Sequence, residues 1–408
     1  MKRIYLDANS TMPLRADVRE FLSSLPPLGN PSSIHLEGRR ARAVLEEARE
    51  RIAAWAGVEP EKVIFTSGGT EANAAAVHGW IRRLIACRRR GSIVVNAGSH
   101  PSLWEPAGIS GEFTRRAYCR NDYYPATDVW GGLRDGPKEQ KACGTGEIVG
   151  TMPDDAVLVL ETAASSETGA LADLERSLEE ARAHDAFLHI DAVQIPGKTA
   201  CPGILRRADS FSLSGHKIGA PAGAGVLVVN EPGDWEPLIR GGGQEWGRRS
   251  GTPPVTAAAA FGFAIENLPE PEKTAAELRR RVGMLRSRIR AGIEAKGEPV
   301  SSVELSDETG LPGTLLLAFR PVPGDLCVAA LDDSGIAASF GTACSSGTSE
   351  PSPALLRLGL SRELARSAVR FSLDWRITDA DVEEAAARIV RTVRRLGREG
   401  GGTRTEEK

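Results

Sequence analysis

Asp209-Ser210-Phe211-Ser212-Leu213-Ser214-Gly215-His216-Lys217 reads as a short strand that runs directly into a Ser-Gly-His-Lys turn, followed by the glycine- and proline-rich stretch from Ile218 to Gly225. A lysine at the end of such a strand can form a Schiff base with an aldehyde cofactor, provided that its surroundings lower its pKa. A lone lysine is more often a solvated surface group, so the neighbours decide. About a helix-length upstream, Phe187-Leu188-His189-Ile190-Asp191-Ala192-Val193-Gln194 is a second strand of buried type, ending in a carboxylate with an amide three residues later. An aspartate there can pair with a protonated pyridine nitrogen, and the amide can bond a ring oxygen. Taken alone, the same aspartate could equally cap the next turn.

Outward from these two strands the pattern repeats. β-rich runs at Lys62 to Phe65, Ser92 to Val95, Ala156 to Leu160, Ala186 to Ile190, Ser210 to Leu213 and Gly225 to Val229 alternate with amphipathic stretches at Arg39 to Trp55, Glu71 to Leu84 and Leu174 to His184. This alternation predicts an α/β fold, with parallel strands joined by helical crossovers and functional loops at the carboxyl ends of the strands. From about Pro254 the character changes. A long helical segment from Thr256 to Ala295, broken near Pro269 and Pro271, precedes a strand-like run from Thr314 to Phe319 and a closing helix from Asp379 to Leu396. The expected division is a large domain over 13–255, a smaller α+β domain from 1–12 and 256–396, and a frayed, disordered tail over 397–408, whose glycine-rich, charged composition cannot pack a core. The weakly patterned stretch from Arg120 to Gly150 reads as a surface excursion.

Bulk composition narrows the function. With 51 basic against 54 acidic residues in 408, no field of one sign exists to attract nucleic acid or an anionic membrane. Six scattered cysteines (Cys87, Cys119, Cys143, Cys201, Cys327 and Cys344) form no CxxC pair and no secreted disulfide framework, so reduced thiols in a cytoplasm are expected. Met1 to Asp7 lacks the apolar core of a signal peptide, and no apolar run approaches the roughly 18 residues that span a bilayer.

Three more segments carry chemistry. Thr66-Ser67-Gly68-Gly69-Thr70-Glu71-Ala72-Asn73 follows a strand and opens a helix. Its glycines permit close backbone approach, Thr70 offers a hydroxyl, and first-turn N–H groups favour an anion such as phosphate; an ordinary capped helix start is the plainer reading. Gly197-Lys198-Thr199 resembles the end of a P-loop, but Ala192 stands where that motif needs glycine. Neither HExxH nor paired CxxC supports zinc. His100 follows the strand Ile93 to Val95, in position to lie over a planar ring. Cys344, within Phe340-Gly341-Thr342-Ala343-Cys344-Ser345-Ser346-Gly347-Thr348, sits among small residues, where a thiol can be carried into and out of a site.

Together these segments resemble the cysteine desulfurases of the class V aminotransferase group, within fold type I of the pyridoxal-phosphate enzymes. The match runs through Tyr5-Leu6-Asp7-Ala8-Asn9-Ser10-Thr11, Gly29-Asn30-Pro31-Ser32-Ser33-Ile34-His35, Ser67 to Asn73, Ser214 to Lys217, Arg249-Ser250-Gly251-Thr252-Pro253 and Arg370-Phe371-Ser372-Leu373. The resemblance implies a large domain with a mixed, mostly parallel sheet of seven-stranded type between helices, and a smaller α+β domain carrying the Cys344 loop. It implies pyridoxal 5'-phosphate on Lys217, with Asp191 at the pyridine nitrogen, Gln194 at the ring oxygen and His100 stacked on the ring. Thr70, Gly69, Ser214 and His216 would hold the phosphate, helped by Thr252 from the other subunit of a homodimer. Arg370 would grip the carboxylate of L-cysteine with Asn30 beside it, and Cys344 would take the sulfur as a persulfide, for delivery to an acceptor protein or pathway enzyme. The alternative is a related C–S lyase or another specialised enzyme of this fold acting on a cysteine-like amino acid.

Two departures from the family pattern bear on the site. Ser165-Ser166-Glu167 stands where members usually carry Asn-Asn-Glu, so a shorter hydroxyl at Ser166 replaces an amide that would contact the cofactor ring. Asp374-Trp375 stands where glycine is common, a bulky and charged pair near the proposed carboxylate clamp.

Overall fold

The computed structural model describes residues 2–108, 111–119, 148–149, 151–201, 203–231, 233, 235–294, 299–306, 309–341 and 350–401. Eight strands form the principal sheet, in the spatial order Val63–Thr66, Gly225–Val229, Ser210–Ser214, Phe187–Asp191, Ala156–Thr162, Ser92–Asn96, Thr114–Tyr118 and Ile148–Val149. Gly225–Val229 runs antiparallel to both of its neighbours, and every other pairing is parallel. The sheet is therefore mixed and mostly parallel, the expected type with one two-residue strand added at the edge. All seven residues of Ala156–Thr162 are buried, as strands covered on both faces require continuous apolar sequence. Alternate side chains separate cleanly. Phe65, Val159, Ile190 and Val226 join a core under helices Leu36–Ala56, Leu174–Ala183 and Val255–Glu266, while Ile64, Leu158, Leu160 and Leu227 face helices Gly69–Ala86 and Pro101–Ala107.

A second, antiparallel sheet has the order Ser301–Glu304, Thr314–Arg320, Ala368–Ser372 and Ser339–Phe340. Helices Pro271–Ile293 and Asp379–Gly401 pack on it, burying Leu278, Leu285, Ile289, Val382 and Ile389 in one core. The helical segment read over Thr256 to Ala295 is thus two helices with different partners, the first on the large sheet and the second on the small one. The closing helix continues to Gly401 through residues assigned above to the tail; Gly397 lies so close to Val300 that an added Cβ would meet Cγ2 at 2.0 Å. Of the Arg120 to Gly150 excursion, only Ile148–Val149 lies within the described residues.

The amino-terminal segment joins the two parts. Ile4–Tyr5 pairs in parallel with Ile336–Ala337, Asp7 bridges to Ser372, and Met12 N then donates to His216 O at 2.9 Å. Residues 6–12 therefore cross from the small sheet to the end of the large one. Among the described residues no helix is long and apolar enough to cross a membrane.

Candidate active site

A cavity of about 170 Å³ lies at the carboxyl ends of the large sheet's parallel strands. Its floor is one hydrogen-bonded chain of buried polar groups. Asp191, which ends Phe187–Asp191 and is 8% exposed, accepts from Asn73 Nδ2 at 2.8 Å and from Val193 N at 3.0 Å. Asn73 also donates to Ser102 Oγ at 2.9 Å and takes the Ser212 hydroxyl on Oδ1 at 2.5 Å, with His189 Nε2 at 3.1 Å from the same oxygen. Behind it, Ser210 Oγ lies 2.8 Å from His189 Nδ1 and accepts from Trp80 Nε1 at 2.8 Å. Complete burial pushes His189 down to about 3. The imidazole is therefore neutral, and its role is to hold Asn73, which in turn aims two donors at Asp191 and Ser102.

His100 caps helix Pro101–Ala107. Ser102 N donates to its Nδ1 at 3.1 Å, so the neutral ring carries its proton on Nε2. Burial, reinforced by Lys217 and opposed by Asp191, lowers its pKa. His100 thus presents an uncharged plane to the cavity.

The opposite wall comes from distant parts of the chain. Arg370, on strand Ala368–Ser372 and 4% exposed, donates through Nη2 to Asp7 Oδ1 at 2.8 Å and Ser10 Oγ at 2.5 Å, and through Nη1 to Ser166 O at 2.8 Å. Its Nε is buried with no hydrogen-bond partner among the described residues. Lys217, in the turn Gly215–Ile218, donates to Asn9 O at 2.7 Å and Ser10 O at 2.8 Å. Gln194 Nε2 donates to the same Asn9 carbonyl at 3.0 Å.

The third corner suits an anion. Gly69 begins the eighteen-residue helix Gly69–Ala86, whose first-turn N–H groups face this end of the sheet. A Cβ on Gly69 would press on Val193 Cγ2 at 3.0 Å, and one on Gly225 would lie 2.5 Å from Gly68 Cα, so the close approach of these loops excludes side chains there. Among the described residues Ser214 Oγ is buried without a hydrogen-bond partner, which is costly unless a ligand supplies one. His216, pushed down to about 4 by burial and by Lys217, lines the same cavity together with Thr70. An orphaned hydroxyl, a helix start and an amine opposite a carboxylate fit a phosphorylated aldehyde with a basic ring nitrogen.

Most of the residues singled out from sequence meet here: Lys217, Asp191, Gln194, His100, Ser166, Thr70, Gly69, Ser214, His216 and Arg370 all line this cavity. Asn30 does not; it is exposed, and its Oδ1 accepts from Ser32 N at 2.9 Å. Thr252 is exposed and lies apart from the cavity. Cys344 falls outside the described residues. Sequence reasoning passed over Asn9, Asn73, Lys198 and Glu167. All four stand inside stretches quoted above without being given a role, because nothing in the linear pattern says which way their side chains turn. Glu167 is buried, accepts from Ser352 Oγ at 2.8 Å, and has its pKa raised by that burial.

The class V aminotransferase family model matches residues 4–114 and 137–384. The chain is 32% identical over 389 residues to the IscS-like cysteine desulfurase of Mycobacterium tuberculosis, covering 93% of this chain and 94% of that protein. Among solved structures, a NifS-like protein superposes with a TM-score of 0.78 at 25% identity, covering 95% of this chain and 98% of the other. A structure described as SspA in complex with cysteine gives 0.69 at 25% identity, covering 90% and 98%. With a family match across most of its length and a relative of this identity aligned nearly end to end, the chain belongs to the cysteine desulfurase family of the class V aminotransferases.

Proposed function

We propose that this protein is a pyridoxal-phosphate-dependent cysteine desulfurase that converts L-cysteine to L-alanine and passes the sulfur to Cys344 as a persulfide. One observation carries the reading: Lys217, Asp191, His100 and the unpartnered Ser214 hydroxyl share a single cavity whose opposite wall holds a buried arginine. When bound, pyridoxal phosphate supplies an electron-withdrawing ring that stabilises negative charge at the substrate Cα.

The chain's own groups do the rest. Lys217 is the amine that binds the aldehyde and then moves the Cα proton; two main-chain carbonyls hold it in place until then. Asp191 keeps the ring nitrogen protonated, its carboxylate steadied by Asn73 and Val193 N. Gln194 serves the ring oxygen, His100 stacks as a neutral plane, and Ser214, Thr70, His216 and the helix start at Gly69 take the phosphate. Among the described residues Arg370 retains two N–H donors, one on Nε and one on Nη1, beyond the three it gives Asp7, Ser10 and Ser166. Those donors are suited to the substrate carboxylate. The overall change balances without an outside oxidant: the C–S bond of cysteine breaks, an S–S bond forms on Cys344, and the carbon that loses sulfur gains hydrogen.

The same reading includes a homodimer in which Thr252 reaches the neighbour's phosphate site. Exposed Ile34, Leu36, Leu238, Ile239 and Trp246 support it, being large apolar side chains that a second copy would cover. Also proposed are a division into large and small domains, drawn from the sequence at residue 255 and moved here to the passage before Pro271 because helix Val255–Glu266 packs on the large sheet, a sulfur-accepting protein partner, and residence in the cytoplasm.

The experiment is incubation with L-cysteine, followed by mass analysis of the peptide containing Cys344 and measurement of alanine. One added sulfur on that peptide with matching alanine is the expected result. Retention of turnover by Cys344→Ser would replace this reading with a C–S lyase.

A further inference from the structure

Gly197-Lys198-Thr199, set aside above as a failed P-loop, lies next to the cavity. Lys198 is 3% exposed, and its Nζ donates to Asn9 Oδ1 at 2.7 Å and to Gln194 Oε1. Neither amide can turn round. Asn9 Nδ2 donates to Ser166 O at 3.1 Å and Thr314 Oγ1 at 3.0 Å, and Gln194 Nε2 donates to Asn9 O at 3.0 Å. Because the two carbonyl acceptors among these, Ser166 O and Asn9 O, can only accept, both side-chain oxygens must face Lys198, which can only satisfy them as a donor.

The surroundings keep this amine dry. An added Cβ on Gly197 would meet the Trp375 ring at 2.7 Å, so the indole lies directly over the turn that carries Lys198. Thus Trp375, part of a departure from the family pattern, packs with Leu268 against the glycine that precedes the lysine. Charged groups around it are Lys217 and Arg370, which with burial push Lys198 well below the ordinary lysine range, and Asp374, which acts the other way; Asp7 is already held by Arg370. Even an uncharged amine has two N–H bonds, matching the two oxygens.

We infer that Lys198 is a positioning residue: from outside the cavity it fixes the Gln194 and Asn9 amides, so that Gln194 can offer only N–H to the cofactor's ring oxygen and Asn9 keeps its main-chain carbonyl on Lys217. This rests on the pyridoxal-phosphate reading above and adds a third-residue control over it. A donor at the ring oxygen withdraws electron density from the cofactor and makes the imine nitrogen on Lys217 easier to deprotonate. Freeing Gln194 to rotate removes that donor.

The test is a pH titration of the visible absorption of the cofactor-loaded holoenzyme. Lys198→Met, which keeps the chain length but donates nothing, should move the midpoint of the colour change up by roughly one pH unit, and Lys198→Arg should restore it at least in part. In a Gln194→Leu background, Lys198→Met should add little, because the effect passes through that amide. Where Lys198→Met does not fold, Lys198→Leu, which also donates nothing, takes its place and must move the midpoint the same way. An unshifted midpoint in either folded variant, or a full shift in the Gln194→Leu background, overturns the inference while leaving the desulfurase reading intact. A wild-type protein that stays colourless with pyridoxal phosphate overturns that reading, and this inference with it.

Discussion

The floor and the far wall of the cavity are built in opposite ways. The floor is assembled from two neighbouring strands, Phe187–Asp191 and Ser210–Ser214, and the helix Gly69–Ala86 packed on them, and its polar groups bond to one another: Trp80 to Ser210, Ser210 to His189, His189 to Asn73, Asn73 to Asp191. The wall gathers residues 7–10, 166 and 370, brought together only by the crossing amino-terminal segment and the small sheet. A floor of this kind is preorganised by one sheet and the helix laid across it. The wall depends on how two sheets meet, and it is where substrate discrimination would be adjusted.

Four measurements test that contrast. The largest effect is expected at the junction of the two regions: Lys217→Ala should leave a colourless protein and reduce alanine formation by about 10³-fold or more. Activity retained by that variant would break the whole scheme. Next, Asn73→Ala should strike the floor as a structural element. It strips partners from Asp191, Ser102, Ser212 and His189 together, and a loss of about 2–4 kcal/mol in denaturant unfolding is expected. A loss below about 1 kcal/mol would mean that the network is slack.

A wall substitution should behave differently. Arg370→Lys cannot span Asp7, Ser10 and Ser166 O at once, so KM for cysteine should rise about 10–100-fold. Cofactor colour and thermal stability should stay close to wild type; a parallel loss of colour would show that the wall also holds the cofactor. The last effect is on acid stability. His189 and His216 have folded values of about 3 and about 4, against an ordinary 6.5. Between those values the unfolded chain binds more protons than the folded one, so the stability these groups protect is complete above about pH 6.5 and falls as pH drops through the window. Denaturation series from pH 7 to 4 should show this slope, and His189→Asn should flatten it; an unchanged slope would place the acid sensitivity elsewhere.

Much of the floor was legible because each piece is local. The strand-then-Lys217 turn, the Asp191-to-Gln194 spacing and the Gly68-Gly69 helix start carry their meaning within a few residues, and periodicity alone located six of the large sheet's strands. Thr114–Tyr118 was not read as a strand: its Thr-Arg-Arg opening is polar because that strand lies toward the sheet edge, where the burial pattern weakens. The wall was opaque for a different reason. Asn9 looks like one polar residue in a short motif until folding places its amide between Lys198, Ser166 and Thr314. Lys198 was left without a role once Ala192 ruled out a nucleotide loop, because a glycine-lysine pair has the same letters whether it faces a phosphate or packs beside a tryptophan. The Asp374-Trp375 pair was expected near the carboxylate clamp, and the fold sets its indole against Gly197.

The amino-terminal crossing has a practical side. Main-chain oxygens of residues 9 and 10 hold Lys217, Ile4 is buried in the small core, and Lys2 reaches Asp381 at 2.5 Å. Trimming residues 2–10, or pulling on them with a fused purification tag, amounts to editing the reactive centre from some distance along the chain.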